Sequence, residues 1–183
     1  QGYSSAASDV YKRQVYGGIL TDIGCHQIEQ IIFFSGAKDA RIVHSRAGNY
    51  NHPGRPGLED FGDCMIECDN GVTGYFRVDW FTPKGLGAWG DGRTIIEGTD
   101  GYIEIRKYID IANNAEGDQV YYVDHEGEHH CCASGKCGFP FFGGMIRDCL
   151  DHTELVMKQD YIFRVIELAI QAEREAEKVG FKR

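Results

Sequence analysis

Short segments in the middle of the chain alternate apolar and polar residues, which is the pattern of half-buried β-strands. Turn-forming triplets separate three pairs of these segments: Asp69-Asn70-Gly71, Gly98-Thr99-Asp100 and His125-Glu126-Gly127. Asparagine, aspartate and glycine accept the positive φ that tight hairpins require. The predicted strands are residues 41–46, 63–68, 72–80, 93–97, 101–108, 119–124 and 128–132. Consecutive hairpins indicate a largely antiparallel sheet.

Helical periodicity appears near both ends of the chain. The first helix is predicted to begin at a cap formed by Thr21 or Asp22 and to end at Ser35-Gly36. A second helix is predicted over residues 157–178, with an apolar stripe and a charged side. Gly24 lowers helix stability relative to alanine, so we expect another group to approach the backbone there. The fold class is therefore α+β: an open, largely antiparallel mixed sheet with helices on one face.

Length and charge narrow the possible functions. The chain has 183 residues, which suits one domain with a single core. A net charge of −9 argues against a nucleic-acid or anionic-membrane partner. No segment has the roughly 18 consecutive apolar residues of a membrane span.

Seven cysteines raise the question of metal binding or disulfides. The run His129-His130-Cys131-Cys132, with Cys137 nearby, has zinc-binding side chains. Neighbouring strand residues point to opposite faces, so we predict no metal site there. Cys64 and Cys68 share one face of a strand and are predicted to be buried thiols. An odd cysteine count favours a reducing cytoplasm over a disulfide framework.

The best candidate for chemistry is the pair Asp22 and His26. Positions i and i+4 lie on one face of a helix, so the carboxylate and the imidazole would project together. Histidine titrates near physiological pH and can transfer a proton that a neighbouring acid helps to orient. A purely structural alternative, a helix cap beside a hydrogen-bonded histidine, is the commoner meaning of such a pair in isolation.

Wider sequence context favours the catalytic interpretation. The run Gly17-Gly18-Ile19-Leu20-Thr21-Asp22-Ile23-Gly24-Cys25-His26 resembles the Gly-Gly-x-x-x-Asp-x-Gly-x-His motif that opens the C-terminal domain of Gfo/Idh/MocA oxidoreductases. Three later segments also resemble that family: Trp80-Phe81-Thr82-Pro83 through Trp89-Gly90-Asp91-Gly92-Arg93, the run from Ile96 to Glu104, and Arg147-Asp148 before a terminal helix. The resemblance covers about residues 15–183.

The resemblance implies a dihydrodipicolinate-reductase-like domain that supplies most substrate contacts. Members typically carry an N-terminal Rossmann domain that binds NAD or NADP and contributes a lysine from a Glu-Lys-Pro element. By the motif, His26 would be the catalytic acid/base and Asp22 its partner on the substrate hydroxyl. The cofactor would be bound mainly by that other domain, which also sets the choice between NAD and NADP.

One glycine pattern has a different meaning. Residues 85–90 match the dinucleotide-binding pattern G-x-G-x-x-G and follow a predicted strand. That fingerprint must open a helix whose N-terminus receives the pyrophosphate, whereas residues 93–97 are predicted as a strand. We predict a loop near the substrate pocket instead.

Five further residues are candidate substrate contacts. Trp80 and Trp89 offer aromatic faces, and Arg93 offers hydrogen bonds to the hydroxyls of a sugar or polyol. His152, and with similar weight the loop residue His52, could also reach a substrate, although packing explains Trp80 equally well. The family resemblance also implies a homo-oligomer that associates through the open face of the sheet.

Domain boundaries and alternative functions complete the expectations. Residues 1–14 are predicted to be a non-native or disordered tail, leaving residues 15–183 as the domain. At this length we expect the substrate half of a longer dehydrogenase that acts on a sugar, sugar acid or cyclitol. The alternatives are an NAD-dependent glycoside hydrolase of the same architecture, and a non-catalytic dinucleotide-sensing regulator or oligomerisation module.

Overall fold

The computed structural model of the chain describes residues 17–113 and 116–180. The tail predicted at residues 1–14 lies outside the described residues. The secondary structure elements, in chain order, are α1 Ile19–Asp22, α2 Gly24–Ser35, β1 Ala40–Asn49, β2 Phe61–Cys68, β3 Thr73–Asp79, β4 Arg93–Glu97, β5 Tyr102–Arg106, β6 Gln119–Val123, β7 Glu128–Cys132, α3 Pro140–Asp151, α4 Gln159–Glu175 and β8 Glu177–Gly180. These elements divide into unit 1, Gln1–Phe81 with His152–Arg183, and unit 2, Thr82–Asp151.

The α+β fold class is confirmed, but the strands form two sheets rather than one. The first sheet has the order β3-β2-β1-β8 and belongs to unit 1, whereas the second has the order β4-β5-β6-β7 and belongs to unit 2. All neighbouring strands are antiparallel except β1 and β8, which are parallel. β3 and β4 are edge strands of different sheets because the intervening loop contains Pro83 and several glycines, which disfavour continued pairing.

The three predicted hairpins are confirmed. Gly71 adopts a φ of 87° in the turn between β2 and β3, and Cys68 N–H donates to the Val72 carbonyl at 2.8 Å. In the turn between β4 and β5, Gly98 N–H donates to the Gly101 carbonyl at 2.9 Å. Asp124 N–H closes the third turn on the Gly127 carbonyl at 3.1 Å.

The C-terminal segment differs from its prediction. The helix predicted over residues 157–178 ends at Glu175, and the next residues form β8. A four-residue polar strand has no clear periodicity, and it is fixed here by parallel pairing with β1 from Arg46 to Asn49. The α3 helix is also absent from the sequence prediction, because Gly143-Gly144 lowers the local helix propensity.

Helices α1, α2 and α4 pack on one face of the first sheet, as expected. Glycines on that face allow close approach: a Cβ at Gly62 would lie 2.7 Å from Ile19, and one at Gly74 would lie 2.7 Å from Ile31. Ser45 Oγ of β1 donates to the Ala172 carbonyl of α4 at 2.7 Å. The largest fully buried apolar side chains of this core are Ile19, Leu20, Ile28, Ile32, Ile66 and Leu168. The buried thiols predicted at Cys64 and Cys68 are confirmed.

The opposite face of the first sheet is open and polar, with exposed apolar side chains among its charges. The Asp63 carboxylate is buried there against Arg46 and accepts a hydrogen bond from Tyr75 Oη at 3.3 Å. Met65 and Tyr75 are exposed on the same face.

Unit 2 is organised around a buried charge. Asp110 is fully buried and accepts hydrogen bonds from Tyr121 Oη at 2.7 Å, from Asn113 Nδ2 at 2.6 Å and from Arg106. These donors lower the pKa of Asp110 to about 2, so the carboxylate is charged at neutral pH. One face of its sheet places Ile96, Ile103 and Tyr122 side by side, only partly covered.

Leu168→Ala tests the core of unit 1. Its side chain is fully buried on α4, so truncation leaves a cavity. We expect the free energy of unfolding of the chain, measured in urea, to fall by about 2–5 kcal/mol. Leu155→Ala is the control, because that side chain is 87% exposed. It should change stability by no more than about 0.5 kcal/mol, and equal losses in the two variants would contradict this core.

Candidate active site

The Gly-Gly turn before α1 is built for close approach. Gly17 and Gly18 have φ values of 78° and 104°, which side-chain-bearing residues rarely adopt. A Cβ at Gly18 would lie 2.1 Å from Cδ of Glu173. Glycine is therefore required here both by the backbone conformation and by the carboxyl group that packs against it.

Two glutamates from distant parts of the chain accept hydrogen bonds from the first backbone N–H groups of α1. Ile19 N–H donates to Glu59 Oε2 at 3.3 Å, and Leu20 N–H donates to Glu173 Oε2 at 3.2 Å. Lys178 Nζ of β8 bridges the pair, at 2.9 Å from Glu59 Oε1 and 3.4 Å from Glu173 Oε1. Both glutamates are buried.

The cap predicted at Thr21 or Asp22 is wrong. Gly18 is the N-cap of α1, Ile23 is the N-cap of α2, and neither helix has a side-chain cap from its own N-cap residue. The first N–H groups of a helix have no internal partner, and in α1 Glu59 and Glu173 supply it. The predicted helix end is confirmed, because Gly36 adopts a left-handed C-cap with a φ of 67°.

Burial sets the protonation of Glu173. Removal from water and the proximity of Glu59, which also hydrogen-bonds to it, raise the pKa of Glu173 to about 7, against the opposing charge of Lys178. A hydrogen bond between two carboxyl groups requires that one of them carries a proton. Because the folded-state pKa is raised, this contribution to stability is complete below the ordinary glutamate pKa and is lost as the pH rises towards about 7.

The structure brings Asp22 and His26 together. Asp22 ends α1, and His26 lies in the first turn of α2, where its N–H donates to the Ile23 carbonyl at 3.1 Å. Both residues are solvent-exposed. Partial burial raises the pKa of Asp22, and the nearby charge of His26 opposes that rise. The two side chains thus interact electrostatically, and a ligand could reach both from solvent.

Core packing fixes the position of this pair. Ile19 and Leu20 are fully buried in α1, immediately before the exposed acid. The approach expected at Gly24 is made by the Phe76 ring, since a Cβ there would lie 3.1 Å from Phe76 Cε2. Cys25 Sγ donates to the Asp22 carbonyl at 3.4 Å, and burial raises the pKa of this thiol, which favours the protonated form.

The other predicted contact residues lie in different parts of the chain. Trp80 follows β3, is half-buried and packs against the core of unit 1. Trp89 is 85% exposed in unit 2, where Arg93 Nε of β4 donates to Asp91 Oδ2 at 2.9 Å. His152 is exposed and has a φ of 53°. Residues 85–90 precede a strand rather than a helix, so the dinucleotide fingerprint is absent from this loop, as predicted.

His52 lies in a loop, but its side chain has a buried hydrogen-bond partner. Its Nδ1 lies 2.8 Å from Oδ2 of Asp60, which is fully buried. The same carboxylate accepts the N–H groups of Tyr50 at 2.7 Å and Asn51 at 2.8 Å. Asn49 Nδ2 donates to the carbonyls of His52 and Arg55, both at 2.9 Å. In the sequence, the acidic residue Asp60 at the end of a loop rich in glycine and proline is the signal that could have predicted this contact with His52.

The histidine and cysteine run forms a regular strand. His129 and His130 of β7 stack on Tyr122 and Tyr121, respectively, and each imidazole lies within hydrogen-bonding distance of a side-chain oxygen, of Asp124 and Gln119. Across residues 17–113 and 116–180, no group of three or more His, Cys, Asp or Glu side chains is arranged to hold a metal ion.

The sequence of the chain matches a known protein family. The profile of the GFO/IDH/MocA C-terminal domain matches residues 2–104, which is more than half of the chain. This chain belongs to that family. No curated protein matches this chain. Within residues 17–113 and 116–180, the GFO/IDH/MocA domain has no helix with the length and apolar character to cross a membrane.

Solved structures agree with the family assignment. A candidate oxidoreductase from Erwinia carotovora atroseptica SCRI1043 is 51% identical, with a TM-score of 0.90 over 93% of this chain and 51% of that one. An oxidoreductase from Agrobacterium radiobacter, in complex with NAD⁺, L-tartaric acid and magnesium, is 19% identical, with a TM-score of 0.68 over 86% of this chain and 46% of that one. UDP-N-acetylglucosamine 3-dehydrogenase GnnA from Acidithiobacillus ferrooxidans is 13% identical, with a TM-score of 0.61 over 90% and 49%. The GFO/IDH/MocA domain therefore spans about half the length of these relatives, and the last two show similarity of fold alone.

Gly18→Ala tests the role of the close approach before α1. The Cβ would displace the Glu173 carboxyl group and leave the Leu20 amide without its acceptor. Gly36→Ala is a control for a left-handed φ without steric contact, since a Cβ added there would meet no atom within 4 Å, whereas Gly18 (φ 104°, ψ 159°) lies in a region essentially restricted to glycine. We expect the control to lower the free energy of unfolding by about 1–2 kcal/mol.

Gly18→Ala should cost a further ~1–3 kcal/mol in urea unfolding. That further loss combines the contact with Glu173 and the less favourable backbone conformation, and equal losses in the two variants would contradict a requirement for glycine at position 18.

Proposed function

We propose that this domain supplies the substrate half of the active site of an NAD(P)-dependent oxidoreductase. The reaction transfers a hydride between the nicotinamide and a hydroxyl-bearing carbon of a sugar, sugar acid or cyclitol. The observation that carries the proposal is the exposed Asp22–His26 pair held at the end of the buried helix α1. Membership of the GFO/IDH/MocA family supports the reaction class.

His26 handles the proton of the reaction. When bound, the nicotinamide accepts the hydride from the carbon being oxidised. The imidazole of His26 removes the proton of the hydroxyl on that carbon, and in the reverse direction it returns the proton. Asp22 accepts a hydrogen bond from the substrate and favours the protonated imidazole that results. The main contribution of the protein is to hold these groups in position.

The described residues fit the substrate side of this reaction and not the phosphates of the cofactor. Residues 85–90 lead into β4, so they provide no helix N-terminus for a pyrophosphate. We therefore assign cofactor binding mainly to a Rossmann domain of the whole protein. The NAD⁺ and L-tartaric acid in the Agrobacterium radiobacter structure, and the sugar nucleotide in the name of GnnA, support a nicotinamide cofactor and a polyhydroxylated substrate.

Trp80, Trp89, Arg93 and His152 are our candidates for substrate contacts. Aromatic rings pack against the C–H faces of sugars, and guanidinium and imidazole groups hydrogen-bond to hydroxyls. Alanine at each position should raise KM more than it lowers kcat if the residue only binds.

The seven free cysteines support a reducing cytoplasm as the location.

His26→Ala in the full-length protein tests the catalytic assignment. Removal of the acid/base should lower kcat by roughly 10²-fold or more, measured by NADH formation at saturating substrate. His125→Ala, at an exposed histidine in the turn between β6 and β7, is the control and should keep wild-type turnover. Near-normal turnover of His26→Ala would show that His26 is not the acid/base of the reaction.

Product analysis separates this reaction from the alternatives. A released sugar without net NADH would instead identify a glycoside hydrolase that uses the cofactor transiently. Binding of dinucleotide without turnover of any polyol would identify a sensor.

The open face of the first sheet is our proposed homo-oligomer interface. Met65→Asp would place a charge among its exposed side chains and should weaken self-association at least about tenfold, which corresponds to ~1.4 kcal/mol. Sedimentation velocity of the full-length protein measures this change. Phe33→Asp on α2 is the control, because Phe33 is exposed away from that face. A wild-type monomer would contradict the homo-oligomer, and an unchanged oligomer of Met65→Asp would contradict this interface.

A further inference from the structure

The imidazole of His52 is oriented by a carboxylate that the proposed reaction does not use. Its Nδ1 lies 2.8 Å from Oδ2 of Asp60, whose side chain is fully buried, whereas the His52 side chain is 33% exposed. Both oxygens of Asp60 accept backbone N–H groups, Oδ1 from Tyr50 and Oδ2 from Asn51. Because this carboxylate acts as an acceptor at both oxygens, the contact with His52 assigns the proton of the neutral imidazole to Nδ1.

This tautomer leaves Nε2 of His52 as a hydrogen-bond acceptor. In a neutral imidazole one ring nitrogen donates and the other accepts. Within residues 17–113 and 116–180, the hydrogen bond of this ring is the one from Nδ1 to Asp60, and Nε2 has no partner. A histidine with one nitrogen fixed by a carboxylate and the other nitrogen open is arranged to bind a ligand through the open nitrogen.

Hydrogen bonds other than that of the imidazole hold the backbone of this loop. The Asn49 side chain donates from Nδ2 to the carbonyls of His52 and Arg55, both at 2.9 Å, and its Oδ1 accepts the His52 N–H at 2.8 Å. Arg55 N–H also donates to the His52 carbonyl at 2.9 Å. The bond to Asp60 adds the orientation of the ring. A side chain held in this way has little rotamer freedom left to lose when it binds a ligand.

The loop is tied to the same end of the first sheet as α1. Trp80 N–H, directly after β3, donates to the Asp60 carbonyl at 3.0 Å. The preceding residue, Glu59, accepts the Ile19 N–H of α1 at 3.3 Å. Two adjacent residues just before β2 therefore connect His52, a candidate aromatic contact and the helix that ends at the candidate acid.

We propose that His52 is a substrate-binding residue of the active site and that Asp60 is its positioning residue. Asp60 keeps the proton on Nδ1, and Nε2 accepts a hydrogen bond from a hydroxyl group of the sugar, sugar acid or cyclitol. The identity of the ligand rests on the proposed function. The neutral imidazole also sets a preference at this position, because a hydroxyl group can donate to Nε2, whereas an ionised carboxylate or phosphate can only accept.

Asparagine at position 52 separates this role from a merely structural one. Its amide nitrogen stands about where Nδ1 stands in histidine and can donate to Asp60, but asparagine has no counterpart of Nε2. His52→Asn therefore keeps the contact with Asp60 and lacks the acceptor, and His52→Ala lacks both. His125→Ala is the control, at a turn histidine whose side chain is 80% exposed.

NMR of the imidazole nitrogens in the 183-residue chain tests the tautomer without any need for catalysis. At about pH 8.5, where an ordinary imidazole is neutral, His52 should show a protonated Nδ1 and an unprotonated Nε2. His125 is the internal reference for a solvent-exposed ring. A proton on Nε2 of His52, or a mixture of tautomers like that of a solvated histidine, would overturn the role of Asp60.

Steady-state kinetics of the full-length protein test the binding role. The assay uses saturating NAD⁺ or NADP⁺ and three probes, one from each substrate class: D-glucose, D-gluconate and myo-inositol. With a probe that is oxidised, His52→Ala and His52→Asn should both raise KM about tenfold and change kcat less than about twofold, because the lost hydrogen bond serves binding. A normal KM in His52→Asn would overturn the binding role, whether or not His52→Ala folds.

Protection from chemical modification tests binding in the absence of turnover. Diethyl pyrocarbonate acylates unprotonated imidazole nitrogens, and mass spectrometry locates the product. In the full-length protein with NAD⁺ or NADP⁺, at least one of the three probes, at about ten times its dissociation constant, should slow modification of His52 about tenfold and leave His125 unchanged. No protection of His52 by any of the three probes would overturn the binding role.

These outcomes separate the inference from the proposed function. Protection of His52 by a probe that is not oxidised would contradict only the proposed reaction. Oxidation of a probe with no protection of His52 and a normal KM in His52→Asn would contradict only the role of His52. Neither oxidation nor protection with any of the three probes would contradict both.

Discussion

The unpaired N–H groups at the start of α1 are the constraint on which the candidate site depends. A buried helix start must find acceptors, and here both come from charged side chains far away in sequence. Glu59 and Glu173 satisfy the amides, Lys178 balances part of their charge, and Gly18 leaves room for a carboxyl group. These contacts hold α1 in place, and α1 carries Asp22 at its end.

Local patterns in the sequence predict much of this structure. The three hairpins follow from the conformational preferences of their turn residues, and the helix end at Gly36 follows from its left-handed cap. Asp22 and His26 are close in sequence, but they lie in two helices separated by Ile23 rather than on one helix face as predicted. The buried state of Cys64 and Cys68 follows from their shared strand face.

Long-range contacts explain what the sequence could not predict. Glu59 lies 40 residues from Ile19, and Glu173 lies 153 residues from Leu20, so no local pattern indicates these bonds. The strand β8 is defined by its pairing with β1, because its own residues have no clear periodicity. The division into two sheets depends on which strand edges find partners, which hairpin signals do not specify. Buried glutamates also break the expectation that charged residues near a helix end face solvent.

The parallel pairing of β1 with β8 has a consequence for biosynthesis. Residues near the start of the described chain are completed by partners near its end, since Gly18 packs on Glu173 and Arg46 pairs in register with Glu177. During translation the Leu20 amide of α1 must therefore wait for its acceptor until Glu173 has left the ribosome. All of unit 2 is synthesised in that interval. The motif that resembles a catalytic site is thus synthesised before unit 2 and completed only after it.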